Sequence, residues 1–150
     1  MAIRNILKEG DEALYKICRP VTDFDPRLHQ LLDDMAETLK KAEGVGLAAP
    51  QVGVLRRAFI MDVGDGVIEA VNPEIVMSKG IQEESEGCLS FPGEYCITRR
   101  PRKVKLKAQD RNGKWFFMNA DDLAARCVCH ENDHLDGIIF RSHAIRKSDK

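Results

Sequence analysis

The stretch Asp121-Asp-Leu-Ala-Ala-Arg-Cys-Val-Cys-His130-Glu-Asn-Asp-His134-Leu-Asp-Gly137 decides how this chain is read. Within it Leu123, Cys127, His130 and His134 fall at offsets 0, 4, 7 and 11, the spacing of one helical face. Asp121 offers an N-cap acceptor, and Asp136-Gly137 ends the helix. Inside the helix, His130-Glu131-Asn132-Asp133-His134 is an HExxH pattern. The two imidazoles stand about one turn apart, so both reach one metal ion, with Glu131 beside the water that such a metal activates. The pattern also arises by chance around a buried histidine pair. A capped helix with one apolar face favours metal-assisted hydrolysis.

Two protein ligands do not complete a catalytic metal site, which commonly takes three and keeps one position open. The metzincin continuation HExxHxxGxxH holds as far as Gly137, but Phe140 occupies the place of its third histidine. No glutamate follows Glu131, which closes the other common zincin arrangement. Asp136 at the helix end and His143 in a charged tail are expected to be solvated. Upstream, Glu86-Gly87-Cys88-Leu89-Ser90 places a cysteine in a loop between strand-like runs, where glycine permits close backbone approach. Cys88 is the best third ligand. A free cysteine is more commonly a small core residue, and the residues alone leave both readings open.

Outward from these motifs, Asp25-Pro26 opens a helix whose Leu28, Leu31, Leu32, Met35 and Leu39 share one face, with a stop at Gly44. GVGLAAPQVG, from Gly44 to Gly53, has neither helical nor strand periodicity and reads as a loop forming one wall of a cleft. Short β-branched or apolar runs at Ala58 to Val63, Val67 to Val71 and Ile75 to Met77 read as strands. Val104, Leu106 and Ala108 alternate with lysines, Asn112-Gly113 turns the chain and Trp115-Phe-Phe-Met118 returns it, which makes a hairpin. The expected architecture is α+β: mixed or antiparallel sheets around the helix that bears HExxH.

At 150 residues, 43% hydrophobic and 31% charged, the chain suits one domain over residues 1–150, without repeats. A formal charge of −1 gives no global pull toward nucleic acid or anionic membrane, although local patches remain open. No apolar run approaches the roughly 20 residues of a bilayer span, and MAIRNILKEG lacks a signal-peptide core, so a cytoplasmic location is expected. Five cysteines, Cys18, Cys88, Cys96, Cys127 and Cys129, cannot all pair internally.

Three segments in order, GVGLAAPQ (Gly44–Gln51), EGCLS (Glu86–Ser90) and HENDHLDG (His130–Gly137), resemble the signature motifs of peptide deformylases. The resemblance runs over most of the chain. It implies an enzyme that hydrolyses the N-formyl group of formyl-methionine on nascent polypeptides, with one divalent metal held by Cys88, His130 and His134. The metal in such enzymes is typically Fe2+, which Zn2+ or Ni2+ replaces in purified material. The resemblance also implies Glu131 as the acid and base, with the Gln51 amide and the Leu89 backbone N–H as oxyanion donors. It suggests further that the substrate backbone lies along Val45 and Gly46. Leu123 and Cys127, on the metal-facing side of the helix, are candidates to line the pocket for the methionine side chain.

Where these enzymes usually carry glutamine before the first histidine, this chain has Cys129. One residue is about 100° of helix, so Cys129 is expected to point away from the metal and to pack. The tail after Gly137 is short and is expected to be solvated and disordered. Its basic residues Arg141, Arg146, Lys147 and Lys150 leave contact with the ribosome open, and no specific nucleic acid is expected. The rival readings are a zincin-like peptidase and a silent binder of metal or formyl-peptides. The missing downstream ligand opposes the first, and the intact Glu131 and Gln51 oppose the second.

Overall fold

The computed structural model describes residues 2–149. Helix α1 (Pro26–Ala42) begins where Asp25 Oδ1 accepts the Leu28 N–H at 3.0 Å and Pro26 occupies the first turn. It ends at Glu43, which adopts left-handed φ of 56° just before Gly44. Its apolar face, Leu28 through Leu39, packs on Leu47, Ala58, Ile60 and Val71. Those residues belong to β1 (Gly46–Ala48), β2 (Ala58–Met61) and β3 (Ile68–Lys79). With β6 (Lys103–Gln109) and β7 (Trp115–Asp121) these strands form an antiparallel sheet in the order β1-β2-β3-β6-β7. A second antiparallel sheet, β4-β5-β8, comprises Gln82–Cys88, Phe91–Arg100 and Ala144–Lys147. Helix α2 (Leu123–Leu135) lies against strands of both sheets, and its Ala125, Cys127, Val128 and Cys129 share an apolar cluster with Phe59, Met61, Val104, Leu106 and Ala108. No helix among the described residues is long and apolar enough to cross a membrane.

The α+β architecture around the HExxH helix is therefore as expected, and the lysine-rich hairpin pairs in register from Lys103↔Asp121 to Gln109↔Trp115. Its turn is longer than a two-residue hairpin: the Asp110 N–H bonds the Lys114 carbonyl at 2.8 Å, and Gly113 takes φ of 85°. Several local expectations are corrected. The runs at Val67 to Val71 and Ile75 to Met77 belong to one strand, β3, interrupted by register shifts. The break falls where Pro73 lacks an N–H and Asn72 adopts φ of 49°, its side chain bonding Val21 N and O at 2.8 and 2.9 Å. The Gly44–Gly53 segment is not wholly a loop, because Gly46–Ala48 pairs with β2 and Ala49–Val52 makes a 3-10 turn.

Asp121 is not the N-cap of α2. It ends β7, and Asp122, at φ of 51°, precedes the helix without a side-chain cap bond. Cys88 is not in a loop but is the last residue of β4. The tail does not hang free: Ala144–Lys147 pairs with β5, and Arg141 forms ion pairs with Glu9 and Glu94. Lys150, the last of the tail's basic residues, lies outside the described residues.

Candidate metal centre

The β4–β5 hairpin and α2 supply three donors from opposite directions. The hairpin shifts register between Gly87, opposite Tyr95, and Cys88, opposite Phe91. A Cβ on Gly87 would stand 2.7 Å from the Tyr95 ring, so glycine is what allows the ring to lie over this part of the strand. Beyond the shift, Cys88 Sγ lies 3.4 Å from His134 Nε2. On α2 the His130 and His134 rings meet edge-on, centroids 5.0 Å apart. One ligand atom each from Cys88, His130 and His134 lies within 4.8 Å of the others. Asp136 pairs instead with Arg57 at 2.9 Å, and His143 Nε2 lies 3.0 Å from Asp133 Oδ2. Neither belongs to the donor group.

Glu86 fixes the His130 ring. His130 Nδ1 donates to Glu86 Oε2 at 2.5 Å, so Nε2 is the ring nitrogen that would turn to a metal, giving up its proton to do so. Thr98 Oγ1 donates to Glu86 Oε1 at 2.8 Å, and Arg100 forks onto both Glu86 oxygens at 3.2 and 2.7 Å. Arg100 Nη1 also donates to Asp133 Oδ2 at 2.7 Å. Burial alone would raise the Glu86 carboxyl, but the hydrogen bonds from His130 and Arg100 prevail and hold it at about 2. Glu86 is thus a permanent anion behind the histidine. Burial pushes His134 well below its usual value, with the positive field of His130 adding to it, so its imidazole stays neutral and able to ligate. At His130 burial works against charge, yet Glu131, Cys88 and Glu86 overcome it. Two imidazoles with a thiol are a donor set suited to a divalent transition metal.

Glu131 stands beside this group, its Oε2 4.0 Å from His130 Nε2. It is 3% exposed, and its Oε1 has no hydrogen-bond partner. Burial raises its carboxyl to about 7, the field of His130 opposing. Gln51 is fixed from the other side: its Oε1 accepts the Ala48 N–H at 2.9 Å, and its Nε2 donates to Ser90 Oγ at 3.1 Å and lies 3.7 Å from Cys88 Sγ. Leu89, between β4 and β5, packs against the α1 cluster.

A cavity of about 400 Å³ opens over these groups, and Val45, Gly46, Leu89, Leu123 and Cys127 line it with Glu131. His134, 1% exposed, does not line it. Leu123 is 42% exposed, so it is a rim residue and not core. Cys127 is buried, its thiol 3.6 Å from the Val45 carbonyl and held protonated mainly by desolvation. Cys129 packs in the apolar cluster, burial raising its thiol to about 11, and takes no place among the donors. Sequence reasoning assigned no role to Arg100 or Thr98, and it quoted Glu86 only as part of a motif. Their signal is the register of the β4–β5 hairpin, which carries the three to one place and is not visible as a spacing.

An HExxH helix enclosed by antiparallel sheets, its third donor coming from a strand, defines a metallohydrolase of the class that attacks amide-type bonds. The sequence profile of the polypeptide deformylase family matches residues 3–150. The peptide deformylase of Caldicellulosiruptor bescii is 54% identical over 146 residues, covering 97% of this chain and 88% of that protein. Crystal structures of peptide deformylases from Legionella pneumophila and Thermotoga maritima superpose with TM-scores of 0.92 and 0.94, at 48% and 39% identity. They cover 95% and 96% of this chain, and 86% and 99% of the respective structures. The chain belongs to the polypeptide deformylase family, whose members use a single catalytic metal to remove the N-formyl group from nascent polypeptides.

The contact between β1 and α2 gives a direct test of how tightly the site is built. A Cβ on Gly46 would lie 2.6 Å from Glu131 Oε2 and 2.7 Å from Cys127 Sγ. Gly46→Ala is therefore expected to displace Glu131 and to lower kcat about a hundredfold, with the circular dichroism spectrum unchanged. Wild-type turnover in this variant, measured as formate release, would mean that the carboxylate position is not critical.

Proposed function

We propose that Cys88, His130 and His134 hold the metal, that Glu131 transfers the protons, and that Gln51 Nε2 and the Leu89 N–H receive the developing oxyanion. The observation that carries this reading is the meeting of the three donors beside a buried glutamate with an unpartnered oxygen. When bound, the metal acts as a Lewis acid that lowers the pKa of water and polarises the formyl oxygen. Glu131, with a carboxyl near 7, accepts a proton from the attacking water and delivers it to the departing amine nitrogen as the C–N bond breaks. The products are formate and a free N-terminus. Gln51 keeps its carboxamide aimed at the site because its oxygen is tied to β1. Gln51→Ala is expected to lower kcat by about 10² to 10³ with a smaller change in KM, and an unchanged kcat would remove Gln51 from the oxyanion site.

Among the described residues β1 is an edge strand paired only with β2, so a formyl-peptide adds along Val45 and Gly46 as a further strand, with the methionine side chain entering toward Leu123 and Cys127. Such substrates are nascent chains, which points to the cytoplasm and accords with contact at the ribosome. Ferrous iron is the metal this reading favours, with zinc or nickel as replacements in purified protein. A ferrous ion with a thiolate ligand is open to oxidation. Iron-loaded protein is expected to release formate from a short formyl-methionyl peptide under anaerobic conditions and to lose that activity in air, while nickel-loaded protein keeps it. Equal persistence of iron-loaded activity with and without air would count against iron. No formate from any metal-loaded form would overturn the proposed residue roles.

A further inference from the structure

A second cleft, on residues the metal centre does not use, gathers four arginines, of which only Arg4 has a carboxylate partner among the described residues. Arg19 and Arg56 form a parallel β-bridge, secured by the Arg19 N–H to the Leu55 carbonyl at 3.1 Å and the Arg57 N–H to the Arg19 carbonyl at 2.9 Å. Like charges set directly opposite each other destabilise a strand pair. With Arg4 and Arg27, these two border an opening of about 590 Å³ whose floor includes Leu28 and Val54. Among the described residues the side chains of Arg19 and Arg27 make no hydrogen bond or ion pair, and Arg56 reaches only the Leu55 carbonyl at 3.3 Å. Arg4 is half engaged, its Nε on Asp34 at 2.9 Å. The carboxylates at the cleft are Asp23 and Asp25, and Asp25 is occupied in capping α1. Four guanidinium groups, one of them paired with Asp34, thus face Asp23 and Asp25 in a chain whose formal charge is −1.

We propose that this cleft binds a phosphate ester. Guanidinium forks match phosphate oxygens two at a time, and a ligand charge between Arg19 and Arg56 turns their mutual repulsion into shared attraction. The apolar floor suits the sugar or base face of a nucleotide unit, which arrives either as a free nucleotide or as part of single-stranded RNA. The cleft shares no lining residue with the cavity over the metal donors, so occupation leaves the deformylation site open.

The test uses metal-loaded protein and two probes: ADP, followed by calorimetry, and a fluorescein-labelled single-stranded RNA decamer, followed by anisotropy. At least one probe is expected to bind, and the double variant R19E/R56E is expected to weaken that binding at least tenfold. Formate release from a short formyl-peptide should stay unchanged in the variant, which also shows that it has folded. ADP binding without RNA binding identifies a free nucleotide as the source. RNA binding with a log–log salt slope of about −2, as neutralising three phosphates of a single strand implies, identifies the polymer. Absence of binding by both probes, or binding undiminished in the variant, overturns the proposal.

Discussion

Glu131→Gln is expected to abolish formate release while leaving the protein folded and able to take up metal. The change keeps the shape of the side chain and removes only its capacity to accept and return a proton. General acid–base catalysis typically contributes 10² to 10⁴-fold, and a group that serves both the attack and the departure of the amine should lie near the top of that range. Stability should move the other way. Glu131 has a folded-state value raised to about 7 from 4.5, so in metal-free protein its burial destabilises the fold progressively as pH rises from 4.5 through 7. In the presence of chelator the glutamine variant should therefore match wild type below pH 4.5 and exceed it above pH 7, by a few kcal/mol at most. Denaturant unfolding at pH 4.5 and pH 8, beside formate assays on metal-loaded protein, reads both effects. A variant that retains a tenth of wild-type turnover would remove Glu131 from the proton path.

The second large effect is expected at Arg100, which touches neither the donors nor the cavity. Its side chain is 2% exposed and, among the described residues, supplies with His130 the positive charge against buried Glu86, while also pairing with Asp133. Arg100→Met leaves two carboxylates without that charge, a change that typically destabilises by about 3 to 5 kcal/mol. The sign of its pH dependence follows from Glu86. In wild type Glu86 is held down at about 2, so its stabilisation is present above 4.5 and is lost as pH falls toward 2. Without Arg100, burial dominates and the carboxyl rises, so acid relieves the strain. The deficit of the variant should be greatest at neutral pH and shrink on acidification. Adding Glu86→Gln to Arg100→Met should recover much of the stability but not the metal affinity, because His130 then loses its anionic partner, a loss worth about 10- to 100-fold. Chemical denaturation across pH and metal titration of wild type and the two variants separate the two roles. Full metal affinity in the double variant would make Glu86 purely structural.

Local signals made α1, α2 and the β6–β7 hairpin legible in the sequence: Asp25-Pro26 with a leucine face, HExxH on a one-sided helix, and strict alternation of lysines with Val104, Leu106 and Ala108. What could not be read was set by pairing. β4 runs Gln-Glu-Glu-Ser-Glu-Gly-Cys, with little apolar alternation, and it is a strand because β5 lies alongside it. β8, Ala-Ile-Arg-Lys, is exposed at every residue and is ordered by the free edge of β5. Three-residue β1 holds despite its glycine because β2 supplies its hydrogen bonds. His130, His134 and Glu131 stood out as residue types at a helical spacing, whereas Cys88 stood out only through its motif. Glu86, Thr98 and Arg100 meet only when Gln82 is set against Arg100 in the hairpin register, a long-range fact with no local trace. Asp122 shows the converse, a residue type suited to capping whose backbone at φ of 51° puts its side chain to no such use.

The division of the donors between β4 and α2 also orders events in time. Cys88 leaves the synthetic machinery before the histidines exist. At about 5 to 20 residues per second, His134 follows Cys88 by roughly two to nine seconds. Through that interval the thiol has no imidazole beside it, and the half-made chain offers one sulfur donor where three donors are needed. If Cys88, His130 and His134 hold the metal as proposed, metal acquisition is among the last acts in making this protein.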